Sequence, residues 1–207
     1  MTKIISIEGN IGVGKSTLIK EVMKYYKDND NVVFYLEDLT LWNLMKDSDN
    51  NSIFELYYKN PKEYSFSFEI TTLISRLKQL KETKSENLII ITERCIYTDR
   101  DVFCKMLYEQ NNISKLNYSI YNLLFDTINE YTDIQHFYIK IEPDIAFNRT
   151  IKRNREGELV DLNFLQICHD YHNKWLLNKD NVTIVTDLDL DSLTIKLKNL
   201  IDTYLIK

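Results

Sequence analysis

A glycine-rich segment near the start of the chain carries the clearest chemistry in the sequence. It matches the pattern G-x-x-x-x-G-K-[ST], follows an apolar run and precedes a segment with helical spacing. Its glycines allow backbone N–H groups to converge on phosphate oxygens, and the helix N-terminus adds partial positive charge. Lys15 would reach the terminal phosphates of a triphosphate, and Ser16 would bind Mg²⁺. We therefore expect this loop to bind ATP through Gly9, Asn10, Ile11, Gly12, Val13, Gly14, Lys15, Ser16 and Thr17.

Acidic residues follow two further apolar runs. Glu37 comes after Val32–Leu36, and Glu93 and Arg94 come after Leu88–Thr92. In a parallel sheet, ligands sit at the carboxyl ends of the strands, so these side chains should lie near the glycine-rich loop. A carboxylate at position 37 can take the proton from a hydroxyl that attacks a phosphoryl group.

A basic segment at 149–158 offers the positive charge that phosphoryl transfer requires. Arg149 and Arg153 are four residues apart, so they share one face of a helix, and Arg155 follows shortly after. These arginines, Arg149, Arg153 and Arg155, are therefore candidates to contact the phosphates of ATP.

Composition narrows the class of protein. The chain has 207 residues, 44% of them hydrophobic, and a formal charge of −5. We expect one domain over residues 1–207. The mild acidity argues against binding a nucleic acid polymer by charge, and no apolar run approaches the ~18 residues that cross a bilayer. Lys3 precedes any possible signal core, so we expect a cytoplasmic protein. The three cysteines form no C-x-x-C pair, which argues against a zinc site or disulfide framework.

The pattern of apolar residues predicts strands that alternate with helices. Such an order predicts an α/β fold with a five-stranded parallel sheet flanked by helices. The predicted strands are Lys3–Glu8, Val32–Leu36, Leu88–Thr92, Gln135–Ile141 and Val182–Val185. The predicted helices are Thr17–Lys27, Phe66–Lys84, Asp99–Glu109, Lys115–Tyr131, Pro143–Arg155, Leu162–Leu177 and Ser192–Ile206.

Several segments together resemble the deoxyribonucleoside kinase family, of the deoxycytidine/deoxyguanosine kinase type. The G-N-I-G-x-G-K-S-T loop, residues 92–103, the segment 61–68, the arginines of 149–155 and the segment 169–176 carry the resemblance. It implies the P-loop kinase arrangement and transfer of the γ-phosphoryl group of ATP to the 5′-hydroxyl of a deoxyribonucleoside, with Mg²⁺. The family works as a homodimer through long helices beside the sheet. Cys95 stands where the family usually has serine, a near-isosteric departure.

The resemblance also implies roles for individual residues. Glu37 would be the general base, Glu93 would complete the Mg²⁺ shell with Ser16, and Arg94 would steady the 5′-oxygen and the transferring phosphate. Arg153 and Arg155 would belong to a lid at about 149–158 and would close over ATP. Counting from Arg155 favours Glu158 over Glu156 as the acid that reaches the sugar 3′-hydroxyl. The remaining roles fall on Tyr58 at the sugar, on Trp42, Phe68 and Phe103 around the base, on Arg76 and Asp99 at the base edge, and on Asp187 near the adenine of ATP.

Glu69 is the main departure from the family, which has glutamine there. An ionised carboxylate offers only acceptors, which suits the adjacent N1–H and N2–H₂ donors of guanine and suits cytosine N3 poorly. The sequence therefore favours deoxyguanosine over deoxycytidine, unless Glu69 is protonated or pairs with Arg76. Asp99 can accept from an exocyclic amine, which thymine lacks, so deoxyguanosine, deoxycytidine and deoxyadenosine are favoured over thymidine.

Two other functions remain open at this point. A nucleoside monophosphate kinase, such as thymidylate kinase, shares the phosphate loop. It needs extra arginines to bind the phosphate of its acceptor, and Glu37 would repel that phosphate. A non-catalytic nucleotide switch of the GTPase type requires D-x-x-G and N-K-x-D motifs. Asn154 precedes Gly157 where the first motif needs aspartate, and Asp180 lies one residue too early for the second.

Overall fold

Five parallel strands form the centre of the molecule. The computed structural model describes residues 2–83, 88–186 and 189–206. The strands lie in the order β2-β3-β1-β4-β5, and every neighbouring pair is parallel. Their bounds are β1 (Lys3–Glu8), β2 (Val32–Tyr35), β3 (Ile89–Glu93), β4 (Ile134–Ile139) and β5 (Val182–Val185). The predicted five-stranded parallel sheet is therefore confirmed.

Helices cover both faces of this sheet. They are α1 (Lys15–Met23), α2 (Leu39–Leu44), α3 (Ile53–Lys59), α4 (Pro61–Glu82), α5 (Ile96–Thr98), α6 (Lys105–Glu109), α7 (Lys115–Ile128), α8 (Pro143–Arg153), α9 (Leu162–Leu176) and α10 (Leu190–Leu205). A π-helical segment, Asp99–Cys104, joins α5 to α6. None of the helices in the described ranges combines the length and apolar character needed to cross a membrane.

The central strands are apolar on both faces because helices cover both faces. Ile5 and Ile7 of β1 are fully buried, and they pack in one core with Leu18 of α1 and Leu197 of α10. A second core, rich in aromatic residues, joins the helices α2, α3, α4, α6, α7 and α9. The first core packs against the strands of the sheet, and the second core surrounds the space beyond the carboxyl ends of the strands.

Several predicted boundaries differ from the observed ones; for example, α1 spans Lys15–Met23 rather than Thr17–Lys27, and β4 spans Ile134–Ile139 rather than Gln135–Ile141. The helix predicted at Phe66–Lys84 begins at Pro61, because proline suits the first helical turn. The predicted segment Asp99–Glu109 is part π-helical. The short helices α2 and α3 were not predicted, and both begin with side-chain caps: Asp38 accepts from the Leu41 amide, and Ser52 accepts from the Glu55 amide.

Candidate active site

The glycine-rich loop connects β1 to α1 and folds as a phosphate cradle. Gly9 has φ of +140°, and a Cβ atom there would lie 2.7 Å from the Ile139 carbonyl oxygen. Gly12 has φ of +83°, and its Cβ would meet the Ala146 carbonyl oxygen. Asn10 fixes the loop from the side, since its Nδ2 donates to the Leu165 carbonyl oxygen at 2.8 Å. Only glycine fits both backbone positions, so the loop is held open for phosphate by its neighbours.

This cradle forms the floor of an open cavity above α1. Six residues of the predicted ATP-binding loop, Gly12 to Thr17, line the cavity together with Arg149, Arg153, Arg155 and Glu93. Gly9, Asn10 and Ile11 do not line it. Asp187, predicted to lie near the adenine, falls outside the described residues.

Lys15 lies folded back on its own loop. Its Nζ donates to the carbonyl oxygens of Gly9 at 3.1 Å and Asn10 at 2.8 Å. Burial, together with the charge of Arg94, lowers the pKa of Lys15 to about 7. A neutral amine has two N–H donors, which matches these two carbonyl acceptors.

Glu37 lies at the centre of the site, just beyond β2. Arg94 Nη1 donates to Glu37 Oε1, and Arg76 Nη2 donates to the same oxygen at 3.3 Å. Burial alone would raise the pKa of Glu37, but the charges of Arg94, Arg76 and Lys15 outweigh burial and lower the pKa to about 2. The adjacent Asp38 caps α2 instead and does not line the site. The two neighbouring acids are thus separated in role.

The two predicted metal ligands lie side by side at the edge of the cradle. Ser16 Oγ donates to Glu93 Oε1 at 2.8 Å. Both side chains line the cavity above α1. A hydroxyl and a carboxylate oxygen are hard ligands of the kind that Mg²⁺ takes in phosphoryl-transfer sites, so the pair fits that ion.

The basic segment forms one wall of the site. Arg149 Nη1 donates to the Val13 carbonyl oxygen at 2.8 Å, so the C-terminal part of α8 is tied to the phosphate loop. Helix α8 ends at Arg153 rather than at Arg155. Glu158 is ion-paired with Arg153, and Arg155 Nη1 lies 3.5 Å from Glu158 Oε1. Glu158 also lines the inner cavity, whereas Glu156 is exposed.

A second, inner cavity opens beside the cradle and shares part of its wall. Five residues line both cavities: Gly12, Lys15, Glu93, Arg153 and Arg155. All the residues predicted to bind the acceptor line the inner one, namely Glu37, Trp42, Tyr58, Phe68, Glu69, Arg76, Arg94, Asp99, Phe103 and Glu158.

Aromatic side chains form much of the inner cavity. Trp42 packs edge-on against Phe68 with ring centroids 5.3 Å apart. Phe54 and Tyr57 also line this cavity and were not predicted. On α3, Phe54 precedes Tyr57 by three residues and Tyr58 by four. This helical spacing of aromatic residues is the sequence signal that could have identified Phe54 and Tyr57.

Arg76 and Asp99 form a buried pair at the inner end of the cavity. Arg76 Nε donates to the two carboxylate oxygens of Asp99 at 3.0 and 2.8 Å. Arg76 also donates to the Glu93 carbonyl oxygen. Burial opposes the charge of Arg76, but the carboxylates of Asp99 and Glu37 outweigh it and raise the arginine pKa above its ordinary value.

Glu69 faces the same cavity, and it forms no ion pair with the residues that the structure describes. Its side chain belongs to a residue that is 2% exposed, and its buried Oε2 atom has no hydrogen-bond partner in the described ranges. Burial, reinforced by the negative charge of Asp99, raises the pKa of Glu69 well above its ordinary value. A preference for deoxyguanosine over deoxycytidine would require an ionised Glu69 that is not paired with Arg76. Arg76 pairs with Asp99 and Glu37 instead, but burial disfavours the ionised form of Glu69, so this preference is not supported.

Glu8 is a buried acid that the sequence analysis did not consider. Thr98 Oγ1 donates to both of its carboxylate oxygens at 2.8 Å, and Ser6 donates to one of them. Burial would raise the pKa of Glu8, but His136 and these hydroxyls lower it to about 2. Its position directly before Gly9 was the available signal. Glu8 ties the end of β1 to α5.

Comparison with known proteins now identifies the family. A family model described as deoxynucleoside kinase matches residues 5–202. This chain belongs to the deoxynucleoside kinase family. As a deoxynucleoside kinase, it uses ATP and a small-molecule nucleoside. Membership of this family favours a nucleoside kinase over a monophosphate kinase and over a non-catalytic nucleotide switch.

Named relatives span both pyrimidine and purine nucleosides. A fowlpox virus protein named as a probable deoxycytidine kinase is 34% identical over 180 residues, covering 84% of this chain and 72% of the viral protein. Mitochondrial deoxyguanosine kinase of Xenopus laevis is 28% identical over 199 residues, covering 86% of this chain and 74% of the relative. Human deoxycytidine kinase is 28% identical over 214 residues, covering 90% of this chain and 79% of the human enzyme.

Proposed function

We propose that this kinase transfers the γ-phosphoryl group of ATP to the 5′-hydroxyl of deoxyguanosine, deoxycytidine or deoxyadenosine in preference to thymidine. The products are the 5′-monophosphate and ADP. The observation that carries the proposal is the shared wall between two cavities, with Glu37 on the inner side and the phosphate cradle on the outer side. A nucleoside in the inner cavity would present its 5′-hydroxyl to a phosphate in the outer one.

Glu37 is suited to receive the proton of that hydroxyl. Its carboxylate is ionised and shares the inner cavity with Arg94, whose guanidinium would hold the 5′-oxygen and the transferring phosphate. A carboxylate with a pKa of about 2 is a weak base. Phosphate charge beside Arg94 and Lys15 would offset the positive charges that lower this pKa, so Glu37 becomes more basic as ATP binds.

Positive side chains surround the position of the γ-phosphoryl group from three sides. Lys15 approaches from the loop, Arg94 from the end of β3, and Arg153 and Arg155 from the lid. Such charges stabilise the equatorial oxygens as the phosphoryl group transfers. Ser16 and Glu93 would hold Mg²⁺, which would neutralise part of the phosphate charge.

The base edge would meet Asp99 and Arg76, and the sugar would meet Tyr58 and Glu158. Asp99 retains unused acceptor capacity beyond its bond to Arg76, because each carboxylate oxygen has two lone pairs. An exocyclic amine can use that capacity, and thymine has a carbonyl in the equivalent place. This supports the preference against thymidine.

A substrate panel tests the proposal. Purified protein is assayed with ATP and Mg²⁺ against the four deoxynucleosides and thymidine monophosphate, and the kcat/KM values are compared. We expect turnover of the three amine-bearing deoxynucleosides, weaker turnover of thymidine and none of the monophosphate. Preferred turnover of thymidine or of the monophosphate would contradict the proposal.

We also propose that the protein is a homodimer, and that it acts in the cytoplasm as one kinase domain over the whole chain. Leu116, Ile120 and Leu123 of α7 are exposed, with Ile74 of the adjoining α4 half exposed. These residues supply an apolar surface on the two long helices that family resemblance assigns to the dimer. The cytoplasmic location stays a prediction, since the relatives include a mitochondrial enzyme.

A further inference from the structure

We propose that Glu69 serves as a neutral carboxylic acid at the base edge, where its O–H donates to the ring nitrogen of cytosine or adenine and its C=O accepts from the exocyclic amine. This inference rests on the proposed deoxynucleoside kinase function. A protonated Glu69 offers one donor and one acceptor, which is the same hydrogen-bonding pattern as the glutamine that the family has at this position.

The charges around Glu69 are already balanced without it. Arg76 is paired with Asp99 and Glu37, and Arg94 is paired with Glu37. Two guanidinium groups therefore face two carboxylates. Within the described part of the chain, Glu69 takes part in no ion pair, so an ionised Glu69 would be an uncompensated buried charge. A buried carboxyl group without a partner takes up a proton rather than bear that cost.

Among the residues that the structure describes, the neighbouring elements supply no positive charge to Glu69 beyond Arg76 and Arg94. The ionisable groups that act on Glu69 are Asp99 of the π-helical segment, which disfavours its ionisation, and Arg76 and Arg94, which favour it. Other titratable side chains near it are Tyr57 of α3, Cys104 of the π-helical segment, Tyr121 of α7 and Cys168 of α9. Burial raises the pKa of each of these four groups, so all four are uncharged at neutral pH.

The protonated and ionised forms predict opposite behaviour with cytosine. A protonated Glu69 donates to N3 and accepts from the N4 amine, whereas an ionised Glu69 turns a lone pair toward the lone pair of N3. Removing N3 from the substrate therefore costs binding in the first case and relieves repulsion in the second. Guanine does not separate the forms so cleanly, because it can offer N1–H together with either O6 or the N2 amine.

The first test changes the substrate and leaves the protein intact. Wild-type kcat/KM is measured at about pH 7 for deoxycytidine and for 3-deaza-2′-deoxycytidine, in which C–H replaces N3. We expect the analogue to be poorer by about tenfold or more, since a buried donor then loses its acceptor. An analogue equal to or better than deoxycytidine would overturn the proposal.

The second test compares wild type with Glu69→Gln, which keeps a donor and an acceptor at every pH. We expect the ratio of kcat/KM for deoxycytidine to that for deoxyguanosine to agree within about threefold at about pH 6. If the ratio falls at higher pH, it should fall in wild type alone. A rise of about tenfold or more in this ratio on substitution at about pH 6 would show that Glu69 is ionised there.

Two features keep the outcome readable. Glu63→Gln, an exposed position on the same helix, should leave the ratio unchanged. Absence of turnover with every deoxynucleoside in both wild type and Glu69→Gln would refute the proposed function itself. Turnover that fails only the analogue or ratio criterion would refute the protonated Glu69 alone.

Discussion

At the scale of single residues, burial and charge divide the acids of this site into different protonation states. Glu37 faces two guanidinium groups and is ionised, while Glu69 lacks a partner in the described ranges and holds its proton. Both belong to the same cavity, so their difference comes from their immediate partners. One acid can therefore accept a proton from a hydroxyl while the other donates a hydrogen bond to a base.

Replacing Glu37 by Gln should lower kcat by about 10²- to 10⁴-fold, because the substitution removes the base but keeps the shape of the side chain. The deoxynucleoside KM should change much less. Asp38→Asn is the matched control: Asn also caps helices well, and Asp38 does not line the site, so kcat should stay near wild type. Steady-state kinetics on both variants decides, and unimpaired kcat in Glu37→Gln would remove this residue from the reaction.

ATP binding should be coupled to proton uptake at Lys15. Burial and the charge of Arg94 lower the pKa of Lys15 to about 7, so the neutral amine is available near neutral pH. Triphosphate charge favours the ammonium form, so the bound state holds more protons and ATP affinity should fall as pH rises above about 7. Calorimetric titration in two buffers of different ionisation enthalpy measures the protons taken up. Uptake near zero at about pH 7 and at about pH 8 would mean that Lys15 is already charged.

At the scale of elements, the sequence predicted the framework better than its boundaries. The strands could be recognised because β1 and β3 are rich in isoleucine and buried on both faces, as expected for a sheet covered by helices on both sides. Helices α2 and α3 escaped because they are six and seven residues long and because caps and packing, rather than periodicity, stabilise them.

The residues of the site, like the elements of the fold, could be predicted from the sequence only in part. Glu37 and Arg94 could be predicted because they end strands on the side where ligands bind. The protonation of Glu69 could not, since it depends on which long-range neighbours supply compensating charge, and those come from other parts of the chain. Sequence spacing gives no measure of that balance.

In the predicted lid segment, Arg153 ends helix α8 and Arg155 lies beyond it. Arg153→Ala should lower kcat by about 10³-fold, since it removes one of the charges that stabilise the transferring phosphoryl group. Lys152→Ala is the matched control, because Lys152 is exposed, adjacent in the chain and absent from both cavities. Single-turnover kinetics at saturating ATP gives the chemical step. Equal losses in the two variants would indicate a general effect of positive charge on the helix.

At the scale of the whole molecule, Glu69 should set a pH dependence of stability. Its pKa is raised in the folded state, so between the unfolded and folded values the folded protein keeps a proton that the unfolded chain has lost. The free energy of unfolding should therefore fall with rising pH in that window, by up to about 1.4 kcal/mol per pH unit relative to Glu69→Gln. Urea unfolding of both proteins from about pH 5 upward measures the difference. A difference that does not vary with pH would mean that folding leaves the pKa of Glu69 unchanged.

We predict that two copies pair through α4 and α7, because these helices expose apolar side chains. Leu116 and Leu123 are each 70% exposed on α7, and Ile74 is half exposed on α4, the helix that α7 contacts. Exposed apolar side chains grouped on one part of a protein surface mark an interaction site. Leu116→Glu/Leu123→Glu should convert a dimer into a monomer, because it places charges in the apolar contact.

Ile195→Glu is the control for that change, since Ile195 is also exposed, at 59%, but lies on α10 at another face of the sheet. Sedimentation velocity gives the mass of wild type and both variants at matched concentration. We expect wild type and Ile195→Glu to sediment as dimers and the α7 variant as a monomer. A monomeric wild type would contradict the dimer itself. An α7 variant that remains dimeric would place the contact elsewhere, and dissociation of Ile195→Glu alone would assign the contact to α10.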